Sequence, residues 1–222
     1  MLSADQIEQF EQGVQRSRSL SAGEYLYRAG DPFRSIFALQ SGTCKSYVVD
    51  NEGREHILSF HFGGEIMGLD AIYLGRHPSS CVALSASRVC ILPYTTLCSL
   101  ARQIPALQMQ LLQLCSREIL CNSALVGDFS AEERLATFLV MAAARQRDPQ
   151  STDLDLAMTR QDIANYLRLA PETLSRILAR LQKSGLVSAD RKHITLLDVD
   201  GLTKLAACMN PYERLSRLRN PI

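Results

Sequence analysis

Residues 158–187, MTRQDIANYLRLAPETLSRILARLQKSGLV, spell two helices joined by a tight turn. The first starts at Thr159, a good N-cap, carries Gln161 and Asp162 in its opening turn and runs through Ile163 to Leu167. Arg168, Leu169 and Ala170 make the turn. Pro171, whose fixed φ suits a first helical position, opens the second helix, and Gly185 stops it. Leu174, Ile177, Leu178 and Leu181 fall at i, i+3, i+4 and i+7, which predicts one apolar face packed on the domain. Glu172, Ser175 and Arg176 share a different, polar face near the helix N-terminus. In a helix-turn-helix that end of the second helix meets base edges in the major groove.

The polar face has the chemistry for such a role. A guanidinium bonds guanine O6 and N7 together, a carboxylate accepts from cytosine N4, and a serine approaches thymine or a phosphate. The plainer reading is a solvated face with an i,i+4 ion pair between Glu172 and Arg176. Charge favours the first reading. Residues 159–194 carry seven Lys and Arg against three Asp and Glu, in a chain whose formal net charge is only +1. Positive charge concentrated on one module is the footprint of a duplex binder. Double-stranded DNA is therefore the expected partner, with Thr159, Arg160, Arg168, Thr173, Arg180 and Lys183 expected along its backbone. Downstream, LVSADRKHITLLD at 186–198 reads as two short strands around a polar turn, a wing that would set Arg191 and Lys192 on phosphates, with His193 nearby.

The N-terminal half has another rhythm. From about Ser19 to Tyr94, turn signals such as Gly30–Asp31–Pro32, Ser41–Gly42 and Asn51–Glu52–Gly53 recur every ten or so residues. The alternating segments SIFALQ, CKSYVV and HILSFHF lie between them, which predicts an antiparallel double-sheet roll. Residues 105–127 then form a long helical pattern from Pro105 to Gly127. One stripe, Leu112, Cys115, Ile119, Asn122 and Val126, has the 3-4-3-4 spacing of a coiled-coil seam, and Leu107, Leu111, Leu114 and Leu125 form another. One stripe suffices to dock a helix on its own domain, so the second predicts a partner helix and a homodimer, the plainer alternative being a helix buried on two sides within one subunit. Ser130 and Glu133 predict a capping box that starts the next helix. Residues 146–155, QRDPQSTDLD, read as a polar loop, and the basic tail from Pro211 reads as disordered or lying along phosphates.

ETLSR at 172–176, with MTRQDIANYLRLAP before it and LQKSGLV after it, closely resembles the helix-turn-helix of Crp/Fnr-type bacterial transcription regulators, specifically the Fnr branch. SGTCKSY at 41–47, FHFGGEIMGLDAI at 60–72, HPSS at 77–80 and AEERLATFL at 131–139 resemble Fnr segments in the same order. The resemblance implies an α+β chain in three parts. These are a double-stranded β-roll of the cyclic-nucleotide-binding type with a short N-terminal helix over 1–104, a dimerisation helix over 105–127, and a winged helix-turn-helix over 128–222. It also implies base contacts from the positions of Glu172, Ser175 and Arg176, inverted half-sites of the TTGAT type, activation through RNA polymerase by way of the roll loop around Asn51–Gly53, and Leu112, Cys115, Ile119, Asn122 and Val126 at the dimer seam. Ala170 departs from the threonine frequent there, which predicts a weaker helix cap.

Other departures bear on cofactors. In nucleotide-binding relatives an Arg-Ser pair holds the cyclic phosphate where this chain has Ser80–Cys81, with Arg76 and Arg88 out of register. A buried phosphate without a cation is costly, so cAMP or cGMP binding is not expected. Oxygen-sensing Fnr proteins hold a cubane iron–sulfur cluster with three N-terminal cysteines and one from the roll. Cys90 matches the fourth, but no cysteine precedes Cys44, and Cys90 is expected to be a buried strand residue. Asn122 stands where oxygen-sensing relatives carry an aspartate, and asparagines bond across a seam where aspartates repel, so a dimer without a cluster is expected. No cofactor is expected. The alternatives are an oxygen- or redox-responsive regulator whose cluster needs an N-terminal extension absent here, and a regulator sensing haem or another small ligand.

Composition narrows the rest. No apolar run approaches the roughly 18 residues that span a bilayer, and MLSADQIEQFEQ lacks the pattern of a secretion signal, which predicts a cytoplasmic protein. Seven scattered cysteines do not make a disulfide framework. His56 and His61, five apart on one strand, are expected on opposite faces, and neither they nor His77 and His193 sit in a metal-ligand cluster. GGE at 63–65 is a turn rather than a phosphate loop, and no nucleophile–base spacing points to an enzyme.

Overall fold

The structure, a computed structural model, describes residues 16–124, 129–145, 151–190 and 193–206. The short N-terminal helix expected before residue 16 and the basic tail lie outside them. The chain divides into two compact units at residues 117 and 118.

Among the described residues the first unit carries eight strands: β1 (Arg16–Leu20), β2 (Tyr25–Tyr27), β3 (Ser35–Ser41), β4 (Thr43–Val49), β5 (Glu55–Phe62), β6 (Ile66–Met67), β7 (Ser80–Ala83) and β8 (Ser87–Pro93). They form two antiparallel four-stranded sheets, ordered β1-β8-β3-β6 and β2-β7-β4-β5, which is the expected double-sheet roll. Leu20, Leu39, Cys44, Met67, Cys81 and Val89 are buried in one cluster of the roll's core. The hairpin between β3 and β4 depends on Gly42, at φ +91°, where a Cβ would stand 2.6 Å from the Ala86 carbonyl oxygen.

The pairing of β4 and β5 corrects one expectation. Ser46 pairs with Ser59 while Tyr47 pairs with Ile57, so Leu58 is an extra residue and β5 carries a bulge. The bulge shifts the alternation by one residue and brings His56 and His61 to the same face. They remain apart in chemistry: His56 Nε2 contacts Asp50 Oδ2 at 2.8 Å, and His61 Nε2 contacts Ser46 Oγ at 2.7 Å.

Helices α1 (Tyr94–Gln103) and α2 (Pro105–Ala124) follow the roll. Leu97, Ile104 and Leu107 are buried with Ile36 and Leu92, and Leu111 packs against them. That is the docking stripe of α2. On the other stripe Leu112 is 58% and Ile119 67% exposed in the chain, and Cys115 is half-buried. The side chain of Asn122 and residues Leu125, Val126 and Gly127 lie outside the described set.

The second unit contains α3 (Ala131–Ala144), β9 (Asp153–Asp155), α4 (Arg160–Tyr166), α5 (Pro171–Lys183), β10 (Val187–Asp190), β11 (His193–Leu196) and α6 (Val199–Leu205). The capping box of α3 forms as expected: Ser130 Oγ accepts from the Glu133 amide at 3.2 Å, and Glu133 Oε2 accepts from the Ser130 amide at 2.7 Å. These bonds hold the Glu133 carboxyl below its usual range. The stretch read as a polar loop contains a strand. Asp153–Asp155 pairs with β11 and completes a three-stranded wing sheet, ordered β10-β11-β9. Leu154 is the reason, since this single apolar residue between two aspartates is fully buried, and Thr195 Oγ1 donates to Asp153 Oδ1 at 2.7 Å.

Candidate nucleic-acid interface

Two caps and a turn place the polar face. Thr159 caps α4 in a box of its own, accepting from the Asp162 amide at 3.0 Å while Asp162 Oδ2 accepts from the Thr159 amide at 3.0 Å. After α4 the chain reverses at Arg168, whose φ of +55° lies in the left-handed region although it is not a glycine. The turn is tied by Leu169 N–H to the Ala164 carbonyl at 2.8 Å. Ala170 then caps α5 without a side-chain hydrogen bond, the weaker cap that the missing threonine implies, and Pro171 opens the helix.

Leu174, Ile177, Leu178 and Leu181 are all buried, so α5 is fixed on its apolar side. Glu172, Ser175 and Arg176 are exposed on the other side. The Ser175 hydroxyl donates to the Pro171 carbonyl at 3.0 Å, and Arg176 Nε donates to the Glu172 carbonyl at 3.4 Å. No ion pair joins Glu172 to Arg176 among the described residues; Ser175 and Arg176 are held by their own helix backbone, and both charged side chains are exposed. Thr159, Arg168, Arg180 and Lys183 are exposed, whereas Thr173 and Arg160 are half-buried. Burial holds the Arg160 guanidinium below its ordinary value. Arg191 and Lys192 lie outside the described residues. At the base of the wing, exposed His193 Nε2 stands 3.4 Å from Asp153 Oδ1.

Two residues of α3 belong to this region and escape a reading by sequence spacing. Arg134 Nη1 donates to the Leu167 carbonyl at 2.8 Å, from a guanidinium whose Nε is buried without a partner. It thus grips the C-terminal end of α4, where helix carbonyls carry partial negative charge. Glu132 Oε2 lies 3.4 Å from Arg180 Nη2. Both contacts join residues more than thirty positions apart, and only the helical period of AEERLATFL signals that these side chains leave α3 near its start.

The Arg-Ser pair of nucleotide-binding relatives has no counterpart at the matched positions of the roll. At the positions matched to the Arg-Ser pair, Ser80 Oγ accepts from the Ala29 amide at 3.0 Å, and Cys81 is buried with its sulfur 3.8 Å from Met67 Sδ. Contact with the Cys44 thiol and burial push the Cys81 thiol up, which suits a packed residue rather than a reactive one. Arg76 and Arg88 are exposed and bond the Gly30 carbonyl and Ser17 Oγ instead. Inside the roll His77, 3% exposed, stacks on Tyr27 with ring centroids 3.8 Å apart, and Ser79 Oγ donates to Asp70 Oδ2 at 3.0 Å. Among the described residues of this region Ser79 and Asp70 bond each other, His77 Nδ1 is buried without a hydrogen-bond partner, and none of the three is an arginine or lysine that would pair a phosphate. Cys90 sits on β8 between Ser17 and Ala38, half-buried rather than buried because β8 is central in a sheet with only one face on the core, and no group of three or more metal-ligating side chains occurs among the described residues.

Two family descriptions match the chain: a cyclic nucleotide-binding domain over residues 17–103 and a Crp-like helix-turn-helix domain over residues 133–205. The fumarate and nitrate reduction regulatory proteins of Escherichia coli K12 and Vibrio cholerae are each 40% identical to it over 210 residues, covering 92% of this chain and 84% of theirs. Among solved structures, FixK2 from Bradyrhizobium japonicum superposes with a TM-score of 0.77 at 26% identity, over 86% of this chain and 96% of that one. A Crp-family transcriptional regulator from Thermus thermophilus shares the fold, with a TM-score of 0.68 at 21% identity, over 86% and 96% of the two chains. These relatives are regulators rather than enzymes, and no described helix is long and apolar enough to cross a membrane. Identity at this level, with both halves matched in order, makes the chain a member of the Crp/Fnr family, a transcription regulator whose second unit carries the helix-turn-helix DNA-binding domain.

Proposed function

We propose that this regulator is a cytoplasmic homodimer that reads TTGAT-type inverted half-sites with Glu172, Ser175 and Arg176, without a cubane cluster or cyclic nucleotide. The observation that carries this is the exposed polar stripe at the start of α5, on a helix whose opposite face is wholly buried. Thr159, Arg160, Arg168, Thr173, Arg180, Lys183, Arg191 and Lys192 serve the phosphates in this reading. Two recognition helices about 34 Å apart enter successive major grooves, and α2 pairs with its mate through the Leu112 stripe.

RNA polymerase is the second partner. The loop Asn51–Gly53 suits contact with it because Asp50 holds it rigid, accepting from the amides of Glu52 and Arg54 at 2.9 and 3.0 Å and from Arg54 Nε at 2.8 Å. The deciding experiment measures binding in air, at fixed salt and without added metal or nucleotide, to a TTGAT-N4-ATCAA duplex and a scrambled control. Preferential binding supports a constitutively competent dimer. Failure in air with recovery after anaerobic iron–sulfur reconstitution supports the oxygen-responsive reading that likeness to Fnr regulators brings.

A further inference from the structure

Thr173, Arg176 and Arg180 recur at i, i+3 and i+7 and so line one stripe of α5, sharing Arg176 with the base-reading face. With Ile177 and Ala131 they wall an open groove of about 520 Å³ where α5 meets the first turn of α3. The Thr173 hydroxyl and the Arg180 guanidinium over an apolar floor make a surface for a DNA phosphate, with Arg176 at its border on the base-reading face. Yet the last cation of the stripe is already engaged, because Arg180 Nη2 lies 3.4 Å from Glu132 Oε2. Glu132 is 34% and Arg180 64% exposed, so solvent and a phosphate both have access to the pair.

Among the described residues no structural task requires the Glu132 carboxylate. The α3 cap is made by Ser130 and Glu133, and the grip on α4 by Arg134. Near a helix N-terminus an acidic side chain gains only a small dipole term, and an exposed ion pair at this distance adds little to stability. Its consequence is felt when DNA arrives. A phosphate approaching Arg180 must displace the carboxylate or share the guanidinium with it, and the displaced carboxylate remains beside the phosphate as a like charge.

We propose that Glu132 is an internal competitor for DNA phosphate, a counter-charge on α3 that holds Arg180 in the free protein and lowers affinity for every duplex by the same factor. The effect is independent of sequence because it acts on a backbone contact, while discrimination stays with Glu172, Ser175 and Arg176. This inference rests on the proposed backbone role of Arg180.

The test is E132Q, which removes the charge and keeps the shape. Affinities for the TTGAT-N4-ATCAA duplex and a scrambled duplex are measured across a salt series, alongside E24Q, which removes an equal charge from the turn before β2 on the roll. E132Q is expected to bind both duplexes about three- to tenfold more tightly, with their ratio unchanged. Its log–log salt dependence should be steeper by about one counterion. E24Q should match the wild type. Thermal unfolding of E132Q within a degree or two of the wild type, which its exposure leads us to expect, keeps the comparison clean. Equal affinity and equal salt slope for E132Q and wild type would overturn the competitor role alone, as would tightening on the target but not on the scrambled duplex. Failure of both proteins to bind any duplex would instead remove the DNA reading on which the inference stands.

Discussion

Arg176 is the side chain on which sequence discrimination should depend most. Among the described residues its exposed guanidinium bonds the Glu172 carbonyl, so it can rotate to a guanine edge without breaking a buried contact. R176A is expected to lose about 1–3 kcal/mol on the target duplex and to relax discrimination at one guanine. Competition binding with single-base variants checks this, and an unchanged sequence preference would refute the assignment. A second residue governs stability rather than binding. Burial holds His77 below its ordinary value of 6.5, against the opposing pull of the Asp70 and Asp31 carboxylates. The folded state therefore keeps the ring neutral while the unfolded chain takes up a proton as pH falls below about 6.5. Stability from this site is complete above that value and is lost as pH drops toward the lowered folded value. Melting temperature should thus decline as pH falls below about 6.5, and H77F, which retains a ring against Tyr27, should flatten the decline. Equal slopes would show that other groups dominate acid sensitivity. The exposed polar stripe of α5 was legible because helical spacing alone places Glu172, Ser175 and Arg176 on one face. The unusual state of His77 was not, since it depends on Tyr27, fifty residues away.

At the scale of elements, α3 serves as the frame of the helix-turn-helix. Its capping box fixes where the helix starts, and Arg134, at the fourth position, bonds the carbonyl of Leu167 at the end of α4. Removing a charged donor from such a carbonyl typically costs about 1.5–3 kcal/mol. R134M should therefore lower unfolding free energy by that order. It should also reduce the ratio of target to scrambled binding, because the turn at Arg168 that aims α5 loses its outside support. Chemical denaturation and paired binding titrations measure the two effects; a fall in stability with the ratio intact would confine Arg134 to folding. Elements with strong local patterns were readable in the sequence: both helices of the motif, the capping box at Ser130 and the roll's alternating strands. What escaped had a non-local cause. β9 is three residues long with one apolar side chain, and only pairing with β11 makes it a strand. The bulge at Leu58 comes from the register between β4 and β5, and a regular alternation rule therefore misplaced His61 relative to His56.

At the scale of the molecule, the two stripes of α2 have unequal fates within one chain. Leu107 is 5% exposed and belongs to the roll's core, whereas Leu112 is 58% exposed with Met109, itself 57% exposed, beside it. Covering a large aliphatic side chain is worth about 1.5–3 kcal/mol, and a twofold seam doubles every such gain. The Leu112 stripe is thus where a homodimer would draw its stability, and a dimer has a direct consequence for DNA. Inverted half-sites are gripped by two recognition helices at once, so loss of pairing removes one of two linked contacts and leaves a monomer with one half-site. L112E sets a charge at the seam but leaves the docking stripe through Leu107 intact, so the variant should fold. We expect wild-type protein to sediment as a dimer in air at micromolar concentration and L112E as a monomer. L112E should also bind a full inverted site no better than a single half-site, because the second half then adds no linked contact. If L112E stays dimeric, or if it still favours the full site over the half-site, the seam lies elsewhere than on this stripe.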